Sequence, residues 1–151
     1  MKEALRTAGL DPRKFSPGDV WIVEDQAIRL DERTGASPRQ FHSSRTMVVL
    51  DGAERCADGS LVSILAAPTS SRHDLASRYQ VIVPEGEGGL SHCAVMLDLI
   101  QPVPRHSFKS KFGTVSPEQL EILRAIVLSN LGILVDVDEP QAPSDEADLP
   151  F

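Results

Sequence analysis

The sequence predicts an α+β domain that is mainly β: a strongly bent, partly open antiparallel barrel, with a C-terminal helix and a short N-terminal one. Five or six short β-rich runs are separated by glycine and proline turns rather than by helices. That excludes an alternating βαβ plan with its parallel sheet. A capped amphipathic segment follows the last run. The 151 residues, 41% apolar and 25% charged, suit one globular domain that buries a core without staples or metals.

In chain order, residues 2–8 can form the N-terminal helix, with Leu5 and Ala8 on one side and Gly9 as its stop; the extension takes in residues 1–15. Phe15-Ser16-Pro17-Gly18-Asp19 is a turn into the β-rich run Val20-Trp21-Ile22-Val23. Residues 25–44 are polar, with Gly35, Pro38 and four serines or threonines, and read as a loop of a length that is usually mobile or functional. Arg45 to Leu50 is the second strand, and Asp51-Gly52 and Asp58-Gly59 are turn signals. The apolar run 61–67 marks a central strand that stops at Pro68, with Thr69-Ser70-Ser71 leading out. A strand over 79–83 is closed by Pro84 and the glycine-rich turn 85–89. Residues 93–97 and 99–103 form one long strand, or two joined by a kink at Asp98.

Ser116 caps the final helix, Pro117 suits its first position, and Gln119 completes a capping box. Leu120, Leu123, Ile126, Val127 and Leu131 form an apolar stripe, and Gly132 ends the helix. Ile122 and Leu128 widen that stripe, so the helix is expected to be deeply buried or partly at a subunit interface. The domain runs over 16–135, and the prolines and acids beyond it predict a disordered tail over 136–151.

Composition removes several classes of function. No run of 18 apolar residues exists to span a membrane. Residues 1–10 are charged and amphipathic, unlike a secretory signal. Cys56 and Cys93 lack CxxC spacing and read as reduced thiols of a cytoplasmic protein. His92 adjoins Cys93, but the four-ligand spacing of a zinc site is missing, and neither a metal nor another cofactor is expected. The net charge of −7 is concentrated at the end: Asp136, Asp138, Glu139, Asp145, Glu146 and Asp148 stand without a lysine or arginine. Removing those six from 22 acids leaves 16 against 15 basic residues, a near-neutral body on which a local basic strip can still hold phosphate.

The order of segments resembles the MazF/PemK family of toxin–antitoxin toxins. Pro17-Gly18-Asp19-Val20-Trp21 resembles its opening GDV/I-W strand, and Ser44 to Leu50 its RP-V-V-L strand. Ala67-Pro68-Thr69-Ser70 is similar to its P-I/V-T-S turn, and Ala94 to Ile100 to its V-x-x-D-Q-I strand. The match covers roughly residues 16–132. The resemblance implies an SH3-like barrel, usually a homodimer, that cleaves single-stranded RNA without metal. The ribose 2′-OH attacks the adjacent phosphate, leaving a cyclic phosphate and a free 5′-OH. It also implies a cognate antitoxin whose disordered segment fills the active groove.

Such chemistry needs a base for the 2′-OH, an acid for the leaving oxygen and a cation for the phosphorane. Arg45 matches the family's arginine, at the mouth of a strand where a guanidinium can fork onto phosphate oxygens; discouraging edge aggregation is its plainer role. Thr69 matches the family's threonine and can hydrogen-bond the scissile phosphate, with Ser70 and Ser71 adding hydroxyls, although such residues also favour turns for local reasons. Asp98 matches the family's aspartate, and structural pairing and base duty both suit it. His42, three residues before Arg45, is an acid/base candidate or a solvated loop histidine, as are His73 and His92. Trp21 suits the core better than base stacking.

Three positions depart from the family pattern. Thr46 replaces a proline, Met96 a second catalytic arginine of some members, and Gln101 an arginine, so two cations are lost. Arg39, Arg72 or Arg105 can compensate from loops. Two other functions stay open. One is a non-catalytic binding module on the same barrel, taking a protein partner in the manner of gyrase-poisoning CcdB toxins or an extended peptide. The other is an inactive structural dimer.

Overall fold

The computed structural model describes residues 13–30 and 44–133. The expected N-terminal helix, most of the 25–44 loop and the acidic tail lie outside the described residues. Among those described, seven strands and two α-helices follow in order: β1 (Asp19–Glu24), β2 (Ser44–Val49), α1 (Ala53–Ala57), β3 (Ser63–Ser70), β4 (Val81–Val83), β5 (Cys93–Val95), β6 (Gln101–Pro104), β7 (Phe108–Thr114) and α2 (Pro117–Asn130). The sheet is antiparallel, in the order β4-β5-β3-β2-β1-β7, with β6 also paired to β3. It is bent but not closed, as the turn-separated runs predict.

The central strand gives the sheet its shape. Along one edge β3 meets β2; along the other it meets β6 over Ser63–Ala66 and β5 over Thr69–Ser70. Contrary to the sequence reading, it does not stop at Pro68. The Pro68 carbonyl accepts a hydrogen bond from Met96 N on the β5 side. A residue's N–H and C=O point to the same edge of a strand, so the absent proline N–H falls where β6 hands over to β5 and breaks no ladder bond.

Both faces of the sheet are covered, which explains the continuous apolar runs. Met47, Val49, Ile64 and Ala66 join Phe15, Trp21 and Phe108 in one cluster. Val48, Leu50 and Ala67 join Val95, Val115 and Leu123 in the other. Trp21 is buried between Phe15 and Phe108, in the core as expected.

Other elements correct the sequence reading. Helix α1 fills the segment between the two turn signals, and β7 occupies what had no strand signal. Strand β7 exposes Lys109, Ser110 and Lys111 along the sheet's edge, so its lysines hide the apolar alternation and guard against edge pairing. Strand β4 begins only at Val81, and Tyr79 lies exposed in the turn before it. Residues 93–103 form two strands separated by a 3-10 turn over Leu97–Leu99. Ser116 Oγ caps α2 by accepting from Gln119 N at 3.1 Å, but the reciprocal half of the box comes from Glu87, whose carboxylate accepts from Ser116 N. Gly132, at φ 75°, closes α2: its N–H reaches Ser129 O, and Ile133 N reaches Leu128 O. Of the stripe, Leu123 is fully buried, Leu120, Ile126 and Val127 are partly so, and Leu131 is 69% exposed.

Candidate functional site

The antiparallel pairs β1–β2 and β2–β3 place the start of β2 against the end of β3. There, Arg45, Thr46, Thr69, Ser70, Ser71, Arg72, Leu90, Ser91 and Cys93 line a solvent-open hollow of about 320 Å³. Four sequence candidates besides Arg45 (Thr69, Ser70, Ser71 and Arg72) therefore meet in one place, because β3 ends where β2 begins. His42 and Arg39 lie outside the described residues.

Arg45 is held from two sides. Its Nε donates to Asp25 Oδ1 at 3.3 Å, and its Nη1 to the Thr69 carbonyl at 2.9 Å. Nη2 makes no hydrogen bond among the described residues. Asp25 is fully buried while the Arg45 side chain keeps 18% of its surface, so the cationic end of the pair is the one that meets solvent. Such a fixed guanidinium suits a phosphate, since its ordering is complete before the anion arrives.

Thr69 is 6% exposed, and its hydroxyl is shared with Thr46. The two Oγ1 atoms are 2.6 Å apart, and Thr69 Oγ1 also donates to the Thr46 carbonyl at 3.2 Å. The threonine that replaces the family's proline thus brings a second hydroxyl to the site. Arg72 pairs with Asp74 through contacts of 3.2 and 3.3 Å. The Arg72 guanidinium holds the Asp74 carboxyl below its usual range. Solvent screens an exposed pair of this kind, so Arg72 can exchange Asp74 for another anion at little cost.

The remaining candidates go elsewhere. Asp98 is exposed on the 3-10 turn, accepts from Gln80 Nε2 at 3.2 Å, and does not line the hollow. Gln101 bonds the Arg29 backbone through both ends of its amide and also donates to the Leu99 carbonyl, a structural duty. Met96 is buried. Arg105 does not compensate for the lost cations: it is 5% exposed, donates to the Cys56 and Asp58 carbonyls and lies over the Phe15 ring, in the core. His73 and His92 stack on each other, with centroids 3.9 Å apart and planes at 18°. Among the described residues, no three His, Cys, Asp or Glu side chains cluster as a metal site would require, and no helix is long and apolar enough to cross a membrane.

Sequence reasoning missed Asp25, Leu90, Ser91 and Cys93. The only signal for Asp25 was its place as the second of two acids, Glu24 and Asp25, that follow the apolar run of β1. Its pairing with Arg45 depends on the register Val23↔Arg45, which a 20-residue connection leaves unfixed in the sequence.

No protein-family model matches the sequence, and no curated relative matches it either. Solved structures do. A MazE–MazF structure from Deinococcus radiodurans is 19% identical, with a TM-score of 0.59 over 81% of this chain and 99% of that one. An endoribonuclease from a mycobacterial species is 12% identical, with a TM-score of 0.60 over 82% and 96%. The Mycobacterium tuberculosis toxin MazF-mt6 is 14% identical, with a TM-score of 0.59 over 78% and 99%. At these identities the likeness is one of fold: the chain has a divergent MazF-like fold along the whole length of those proteins.

Proposed function

We propose that this chain is the toxin of a type II toxin–antitoxin pair, a metal-independent endoribonuclease that cleaves single-stranded RNA in the cytoplasm. The observation that carries this reading is the convergence of Arg45 and Thr69 on one open hollow with the dimensions of a small ligand site. A phosphodiester seated there meets Arg45 Nη2 and, by drawing one hydroxyl proton of the Thr46/Thr69 pair away from the Thr46 carbonyl, accepts from that pair as well. The 2′-oxygen attacks phosphorus and loses its proton to a base. The P–O5′ bond breaks, and the 5′-oxygen takes a proton as it leaves. Arg45 offsets the charge that builds on the non-bridging oxygens, and Arg72, Ser70 and Ser71 bind the flanking phosphate. His42, three residues upstream of Arg45, is the acid/base group of this proposal; Asp98 has no part in it.

Two further elements complete the reading. Solved neighbours with this fold include MazF crystallised with MazE and an endoribonuclease in complex with its cognate antitoxin, which supports an antitoxin partner here. Ile122 (51% exposed), Leu131 and Ile133 are apolar side chains left in solvent on and beside α2, which supports a homodimer.

Purified protein, free of antitoxin, is expected to cut single-stranded RNA in the presence of a chelator. Arg45→Ala is expected to slow cutting by about 10²–10³-fold. RNA left intact by the wild-type protein would sink the assignment. The two missing family cations favour one rival, a non-catalytic binding module. Growth arrest that survives Arg45→Ala, with RNA uncut, selects it.

A further inference from the structure

We infer that the stacked His73–His92 pair is a nucleobase platform, which receives a base next to the phosphate held in the Arg45 hollow. This inference rests on the RNA reading above and adds the group that grips the nucleotide beyond its phosphate.

Position comes first. Arg72 and Ser91, the residues directly before the two histidines, both line the hollow. The two imidazoles are thus carried by the chain segments that form its wall, one following β3 and the other preceding β5. A base hangs one ribose away from its phosphate, and each imidazole stands one residue along the chain from the hollow's wall.

Ring geometry comes second. The imidazoles lie nearly parallel, 3.9 Å apart. His92 is exposed even though His73 covers one of its ring faces, and its other face is the one the base takes. No polar contact among the described residues ties either ring to another group. Single-stranded RNA is gripped by stacking unpaired bases on such rings, histidine included.

Of the other aromatic rings among the described residues, Phe15, Trp21 and Phe108 pack on one another in the core, the Tyr79 ring is occupied by the Arg78 guanidinium, and the exposed Phe112 on β7 neither lines the hollow nor adjoins in sequence a residue that does.

The test uses a labelled 2′-O-methyl oligoribonucleotide spanning the bond the protein cuts, which binds but is not cleaved. His92→Ala is expected to weaken binding roughly ten- to hundredfold, and His92→Phe to restore it, since stacking tolerates any aromatic ring. A single abasic residue walked along the oligonucleotide should find one position where His92→Ala no longer matters, because ring and base then act as one pair. Unchanged binding by His92→Ala overturns the inference and leaves the nuclease standing. So does an equal loss at every abasic position, which would make the stack a mere clip between two loops. Failure of the wild-type protein to cut or bind RNA at all overturns the nuclease reading itself, and the platform with it.

Discussion

A guanidinium carries five N–H donors in one plane, and Arg45 shares them between a buried carboxylate and a backbone carbonyl before any ligand arrives. A lysine there has one point of charge and cannot span Asp25 and the Thr69 carbonyl together. Arg45→Lys is therefore expected to keep the fold, seen as an unchanged circular dichroism spectrum, yet recover little of the cutting lost in Arg45→Ala. Recovery close to wild type would show that charge alone suffices. Cys56 presents a second single-residue effect. Burial, then the Asp51 and Asp19 carboxylates, push its thiol up to about 11 from an ordinary 9.0. The folded state thus holds a proton that the unfolded chain releases between those values. Stability from this source is complete below pH 9 and is lost as pH rises towards 11. The melting temperature should fall across that window, and fall less steeply in Cys56→Ala; parallel curves would show that other groups set the alkaline limit.

At the level of elements, the 85–89 turn ties β7 to α2. A Cβ on Gly113 would sit 2.2 Å from the Gly88 carbonyl oxygen, so β7 approaches this turn as only a glycine allows. Glu87, from the same turn, accepts from Ser116 N at the start of α2. Gly113→Ala must push strand and turn apart. The expected cost is about 1–3 kcal/mol, as for other overpacked sites, read as a lower denaturant midpoint. An unchanged midpoint would mean the contact gives way freely. This junction was only half legible in the sequence. The Glu85–Gly89 turn and the Ser116 cap stand out by residue type, but nothing local says that Glu87 rather than Gln119 completes the cap.

For the molecule as a whole, charge is divided between a near-neutral body and an acidic end with six carboxylates after Val135. Such a tail repels phosphate. Removing the residues after Val137 should raise RNA affinity at low salt, with the gain fading as ionic strength rises; equal affinities at every salt concentration would dismiss a role for the tail. The sequence by itself determined the bent antiparallel sheet, the capped C-terminal helix and the buried Trp21, because each follows from local periodicity and from residues that dictate turns and caps. It also marked Arg45, Thr69, Ser70, Ser71 and Arg72. Only the tertiary structure decided that these five meet, that Asp25 lies behind Arg45, and that Asp98 and Arg105 stand apart. Those outcomes depend on strand register and on where β3 changes partners. Both are set by packing between segments distant in the chain, which no stretch of sequence encodes alone.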